Sequence, residues 1–174
     1  HLSAQLAQEL GQDTHYITLI LRAARLHDVG KVGIPDAILM KPGKLSGTEF
    51  ESIHNHTRIG AQLLSGGHSP LIKMAETIAL THHEHWDGNG YPRKLTGEAI
   101  PLEGHILAVA DAFDALTHDR HYRRALSLES AVREIRAQSG RQFDPTVVQA
   151  FLRLYERGDL TDSRPMTNPS LTHW

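Results

Sequence analysis

The stretch from Pro101 to Thr117 constrains the fold more than any other. Leu102, Ile106, Leu107, Val109, Ala110, Phe113 and Leu116 cover so broad a sector of a helix that only a central position, with neighbours on several sides, keeps it from water. The same segment carries Asp111, a carboxylate whose burial without a partner would be costly. A chain built around it needs other helices, and the sequence supplies them. Leu2, Leu6 and Leu10 form one helical stripe, Ile17, Ile20, Leu21, Ala24 and Leu26 a second, and Leu71, Met74, Ile78 and Leu80 a third. Phe50, Ile53, Ile59, Leu63 and Leu64 give a further inward face on a helix running from Ser46 to Gly66. No alternating run of period two competes, so the expectation is an all-α bundle of about seven helices.

Local chemistry marks the ends. Asp13 or Thr14 caps the helix that runs to His27 and Asp28, with Gly30 as its C-cap. Ser46 with Glu49 fits a capping box. Ser69-Pro70 and Asp144-Pro145 place proline at the first helical position, and Ser127 caps a helix that runs through Ser139 with Gly140 after it. Asp36 to Leu39 is a short helix candidate. From Glu84 to Pro101 runs an irregular loop, long enough in a compact domain to expect function. The Ser-, Thr- and Pro-containing segment 161–174 reads as a tail appended to a domain spanning 1–160.

Composition narrows the chemistry. A chain of 174 residues fits one domain, and a net charge of -2 gives no electrostatic case for duplex nucleic acid. No apolar run is long enough to span a membrane. With no cysteine and 13 histidines, imidazole and carboxylate are the only strong metal ligands available. His27 and Asp28 fall on one turn with side chains about 100° apart, so a pair of ions bridged by the carboxylate suits them better than one ion. His56, His82, His83 and Asp111 each occupy helical positions where a polar side chain needs a partner. Taken singly they read as a surface pair, a satisfied core histidine, a solvated helix end and a buried salt bridge. A shared ion cluster gives all of them one cause.

Three blocks then carry a resemblance: His27-Asp28-Val29-Gly30-Lys31, His82-His83-Glu84-His85-Trp86-Asp87-Gly88-Asn89-Gly90-Tyr91-Pro92, and Val109-Ala110-Asp111-Ala112-Phe113-Asp114-Ala115-Leu116-Thr117. Together with Gly33-Ile34-Pro35-Asp36, Lys41-Pro42-Gly43-Lys44-Leu45, Gly97-Glu98-Ala99-Ile100-Pro101 and Phe143-Asp144-Pro145, they resemble the HD-GYP family, a branch of the HD-domain metal-dependent phosphohydrolases, to about Leu154.

The resemblance implies an HD-domain-like bundle with cyclic di-GMP phosphodiesterase activity, giving pGpG or GMP through a metal-bridging hydroxide. Another cyclic nucleotide substrate, or binding of cyclic di-GMP without turnover, are the alternatives. By the same resemblance, His27, Asp28, His56, His82, His83 and Asp111 are metal ligands, and Lys31 contacts the scissile phosphate beside His27 and Asp28. Arg120 and Arg123 grip substrate phosphate, and Gly88, Gly90, Tyr91 and Pro92 shape the loop beside it. Two divalent transition ions are implied, iron or manganese before nickel, cobalt or zinc. A third ion stays undetermined, because its family ligands would precede residue 1, in a missing part of the first helix. The resemblance also implies cytoplasmic signalling, an N-terminal sensor or receiver domain, and leaves a homodimer open. His54 stands where relatives often have lysine and, like His85 and His105, has no ligand counterpart.

Overall fold

The computed structural model describes residues 1–119 and 124–160. Arg120, Arg123 and the segment 161–174 lie outside the described residues. The described chain is all-helical: α1 (Leu2–Glu9), α2 (Thr14–Ala23), α3 (Asp36–Leu39), α4 (Gly47–His54), α5 (His56–Leu64), α6 (Pro70–Thr81), α7 (Leu102–Thr117), α8 (Leu128–Ala137) and α9 (Pro145–Glu156). Short 3₁₀ turns occupy Ala24–Leu26, Val29–Gly33 and Gly97–Ala99.

The helix starts follow the side chains that cap them. Asp13, Ser69, Ser127 and Asp144 each accept a backbone N–H of the following first turn, and Ser46 with Glu49 completes the reciprocal capping box. Helix α7 is central, packed on α1, α6, α8 and α9, and Gly104 through Val109 are all buried. Its Phe113 meets Phe151 of α9 edge to face, with ring centroids 5.3 Å apart. Leu6, Ile20, Ile78, Ile106, Ile135 and Val147 complete the sealed core.

Five details depart from the sequence expectation. The helix expected from Ser46 to Gly66 breaks at Asn55, where the His56 imidazole and Thr57 hydroxyl donate to the carbonyls of Ile53 and His54 and satisfy the end of α4. With the count also including the short α3, the described residues hold nine α-helices rather than about seven. Phe50 and Leu63 face outward, 55% and 56% exposed, and neither joins the core. Helix α2 ends at Ala23, so His27 and Asp28 follow a tightened 3₁₀ turn instead of closing an α-helix. Gly30 is no left-handed cap: it lies within the Val29–Gly33 turn, where that turn presses on α5. Among the described residues no helix is long and apolar enough to cross a membrane.

Candidate metal centre

Four backbone segments deliver imidazoles and carboxylates to one place. His27 stands after the Ala24–Leu26 turn, His56 opens α5, and His82 and His83 follow α6. The Nδ1 atoms of His27, His56 and His82 each lie on a backbone carbonyl: Ala24 at 2.7 Å, Ile53 at 2.7 Å and Ile78 at 2.9 Å. A carbonyl only accepts, so Nδ1 carries the proton and Nε2 presents its lone pair inward. The consequence is sharpest at His56 and His82, whose Nε2 atoms are 3.4 Å apart and buried. With both Nδ1 protons committed, neither Nε2 can donate to the other. Two buried lone pairs facing each other need a cation between or beside them.

Asp28 sits at the middle of the cluster. Its Oδ1 is 3.4 Å from His56 Nε2 and 4.0 Å from His82 Nε2, while its Oδ2 is 3.3 Å from His27 Nε2 and 2.5 Å from Lys31 Nζ. Asp111, on α7, brings Oδ1 to 3.7 Å from His27 Nε2. The one carboxylate therefore faces two groups of donors, His27 and Asp111 on one side and His56 and His82 on the other. His56, His82 and His83 offer ligand atoms within 4.8 Å of one another. A donor set of neutral imidazoles and carboxylates suits divalent transition ions.

The electrostatics keep His56, His82 and His83 neutral and Asp28 ionised, the forms a metal requires, whereas His27 is drawn toward its protonated form by Asp28. Burial pushes His82 down to about 4 and His83 down to about 2, with neighbouring imidazoles lowering them further. Burial lowers His56 as well. On His27 burial also opposes charge, but the hydrogen bond and charge of Asp28 outweigh it and raise that imidazole above its ordinary value. Asp28 moves the other way: His27 and Lys31 overcome its burial and hold it far below the usual carboxylate range.

Close backbone approach makes the arrangement fit. A Cβ built on Gly30 would stand 1.9 Å from the His56 carbonyl oxygen and 2.4 Å from the Gly60 nitrogen. Only glycine lets the turn carrying Asp28 and Lys31 lie flat on the start of α5. Gly90 has the same role beside the histidine pair, where a Cβ would fall 2.5 Å from the His83 carbonyl oxygen. The loop is clamped by Glu84, 2% exposed, whose carboxylate accepts the backbone N–H groups of Arg93 at 2.7 Å and Leu95 at 3.0 Å. That clamp sets Tyr91 against His83, ring centroids 4.8 Å apart, and burial raises the Tyr91 phenol so that it stays neutral.

The structure thus brings His27, Asp28, Lys31, His56, His82, His83, Asp111 and Tyr91 together. Gly90 and Pro92 frame the loop, the Pro92 carbonyl accepting from Arg58 Nη2 at 3.1 Å. Gly88 serves a turn at φ +81°, against the Thr96 side chain. A cavity of about 460 Å³ opens beside His27 and Asp111, lined also by Leu2, Leu21, Ala24 and Arg25. Two contributors had no functional reading in the sequence. Glu84 binds backbone groups, which leave no residue signature, and His54 stacks on Tyr91 at 3.6 Å with the rings 10° from parallel.

A helical bundle that gathers His and Asp side chains from four segments defines an HD-type metal-site protein. The HD domain family profile matches residues 1–147, and the chain belongs to that family. It is 50% identical over 161 residues to a cyclic di-GMP phosphodiesterase of Thermotoga maritima, covering 92% of this chain and 43% of that one. It is 48% identical over 153 residues to the cyclic di-GMP phosphodiesterase response regulator RpfG of Xanthomonas campestris pv. campestris, covering 88% and 40%. The chain thus spans about two fifths of the length of these relatives. The crystal structure of a cyclic GMP-AMP specific phosphodiesterase of Vibrio cholerae superposes with a TM-score of 0.66 over 91% of this chain and 42% of that one, at 21% identity, and shares the fold.

Proposed function

We propose that residues 1–160 form a metal-dependent phosphodiesterase domain that hydrolyses cyclic di-GMP to the linear dinucleotide pGpG. The observation that carries it is the buried pair of facing Nε2 lone pairs with Asp28 beside them, in a chain whose relatives bear the name of that activity. His27 and Asp111 would hold one divalent ion, His56, His82 and His83 a second, and Asp28 would serve both. The chemistry supplied by ions so held is Lewis acidity toward phosphate oxygens and acidification of water.

The chain's own residues do the rest. Asp28, kept ionised by His27 and Lys31, contributes negative charge without taking a proton at neutral pH. Lys31, at the rim and half exposed, places its ammonium where the phosphorane-like transition state accumulates charge. Tyr91, neutral and packed on His83, closes one wall against water. Arg120 and Arg123, in the segment that follows α7, are proposed to grip a second phosphate, the bidentate role for which guanidinium is suited.

The test is elemental analysis of anaerobically purified protein, followed by product assays with cyclic di-GMP, cyclic GMP-AMP and cyclic AMP in added manganese or iron. Cleavage of cyclic di-GMP with the highest kcat/KM supports the assignment. Binding without cleavage in metal-loaded, reduced protein overturns it in favour of a signalling module, and preference for another cyclic nucleotide reassigns the substrate.

A further inference from the structure

An aromatic staircase leaves the metal-type cluster and ends in solvent. Tyr91 stacks on His83 with rings 25° apart, His54 lies nearly parallel on Tyr91, and Phe50 meets His54 edge-on at 4.3 Å. Its outer ring is more than half exposed. Helix α4, which carries Phe50 and His54, buries no residue at all, so these rings are not there to build core. Its first turn is held by the capping box and by Lys41, whose Nζ meets Glu49 Oε2 at 2.6 Å, so the ledge sits on a fixed helix. Val32, the residue after Lys31, is 79% exposed.

We propose that Phe50 and His54 form a stacking ledge that receives a purine base of the substrate. The inference rests on the cyclic dinucleotide reading and adds the subsite that holds a base. The chemistry follows from shape and polarity. A purine has apolar faces and polar edges, and a ring open to water at its sides accepts the faces while leaving the edges hydrated. The staircase is continuous with His83, so a base on Phe50 lies at the outer end of a run of rings that begins at the metal-type cluster. A second protein chain would find no such need for rings in a ladder running back to metal ligands.

The experiment uses a 2-aminopurine ribonucleotide, whose fluorescence falls when the base stacks, titrated into the parent protein and into Phe50→Ala, Phe50→Trp and Leu63→Ala. Leu63 is an equally exposed apolar residue on α5 and serves as the control for lost surface. Expected are quenching in the parent, in Leu63→Ala and in Phe50→Trp. In Phe50→Ala, quenching is lost and the dissociation constant rises about tenfold. Equal quenching in Phe50→Ala and the parent overturns the ledge, as does absence of quenching in the parent. A change in sedimentation of Phe50→Ala with quenching intact overturns it too, in favour of a protein interface. Phe50-dependent quenching in a protein that cleaves no cyclic dinucleotide upholds the ledge and defeats the phosphodiesterase reading instead.

Discussion

Asp28 is one carboxylate placed between two donor groups, with one oxygen toward His56 and His82 and the other toward His27 and Lys31. Replacing it with asparagine keeps the shape but removes the charge and one acceptor. Asp28→Asn is expected to lower bound metal and to cut kcat by about 100-fold or more, read by elemental analysis and product formation. Unchanged metal content with unchanged rate would show that the carboxylate serves only its ion pairs. Lys31 separates from it cleanly, because an ammonium binds no metal. Lys31→Met is expected to leave metal content at the parent level while lowering kcat by about 100-fold, the scale for removing one transition-state charge partner. The two variants together distinguish holding ions from stabilising charge on phosphate.

At the scale of elements, the site depends on how closely the Val29–Gly33 turn lies on α5. A methyl group at Gly30 would overlap the His56 carbonyl and the Gly60 nitrogen, both backbone atoms that cannot swing aside. Gly30→Ala is therefore expected to push the turn off the helix at a cost of about 1–3 kcal/mol. In a domain of this size that lowers the melting temperature by roughly 2–4 °C per kcal/mol, and metal is lost with it. A variant that melts and binds metal like the parent would refute the tight contact. The loop from His82 to Pro101 depends on a different device, the buried Glu84 carboxylate and its two backbone donors. Glu84→Gln keeps one acceptor oxygen and turns the other into a donor facing an N–H, so about 1–3 kcal/mol of local stability should go. Faster proteolysis within residues 84–100, with metal content retained, is the expected readout. Equal protection would assign the loop's order to its other contacts.

For the molecule as a whole, the sequence makes the helices legible because their caps are residue choices and their faces have a period. It also marks His56 and Asp111, polar side chains on otherwise apolar surfaces. What stays hidden is how neighbours meet: a period shows that Phe50 lies on a face, not that the face borders a cleft, and Gly30 looks the same as a cap or as a contact. The gathered histidines have a consequence for the whole fold. In the unfolded chain they titrate near 6.5, whereas folded His82 stays neutral down to about 4 and His83 to about 2, with His56 also lowered. Between pH 6.5 and 4 the unfolded state thus binds more protons, and stability falls as the solution is acidified. His27 has the opposite sign: its raised value gives stabilisation that is complete below 6.5 and is lost as pH rises through the folded value. Three lowered imidazoles against one raised imidazole leave a net loss toward acid. Calorimetry of metal-stripped protein should show a melting temperature that drops steadily from pH 7 to pH 5. His82→Asn, which removes one neutral buried imidazole, should flatten that slope. A melting temperature that is level or rises toward pH 5 would mean that protonated histidines are accommodated in the cluster, which facing lone pairs held for a cation do not permit.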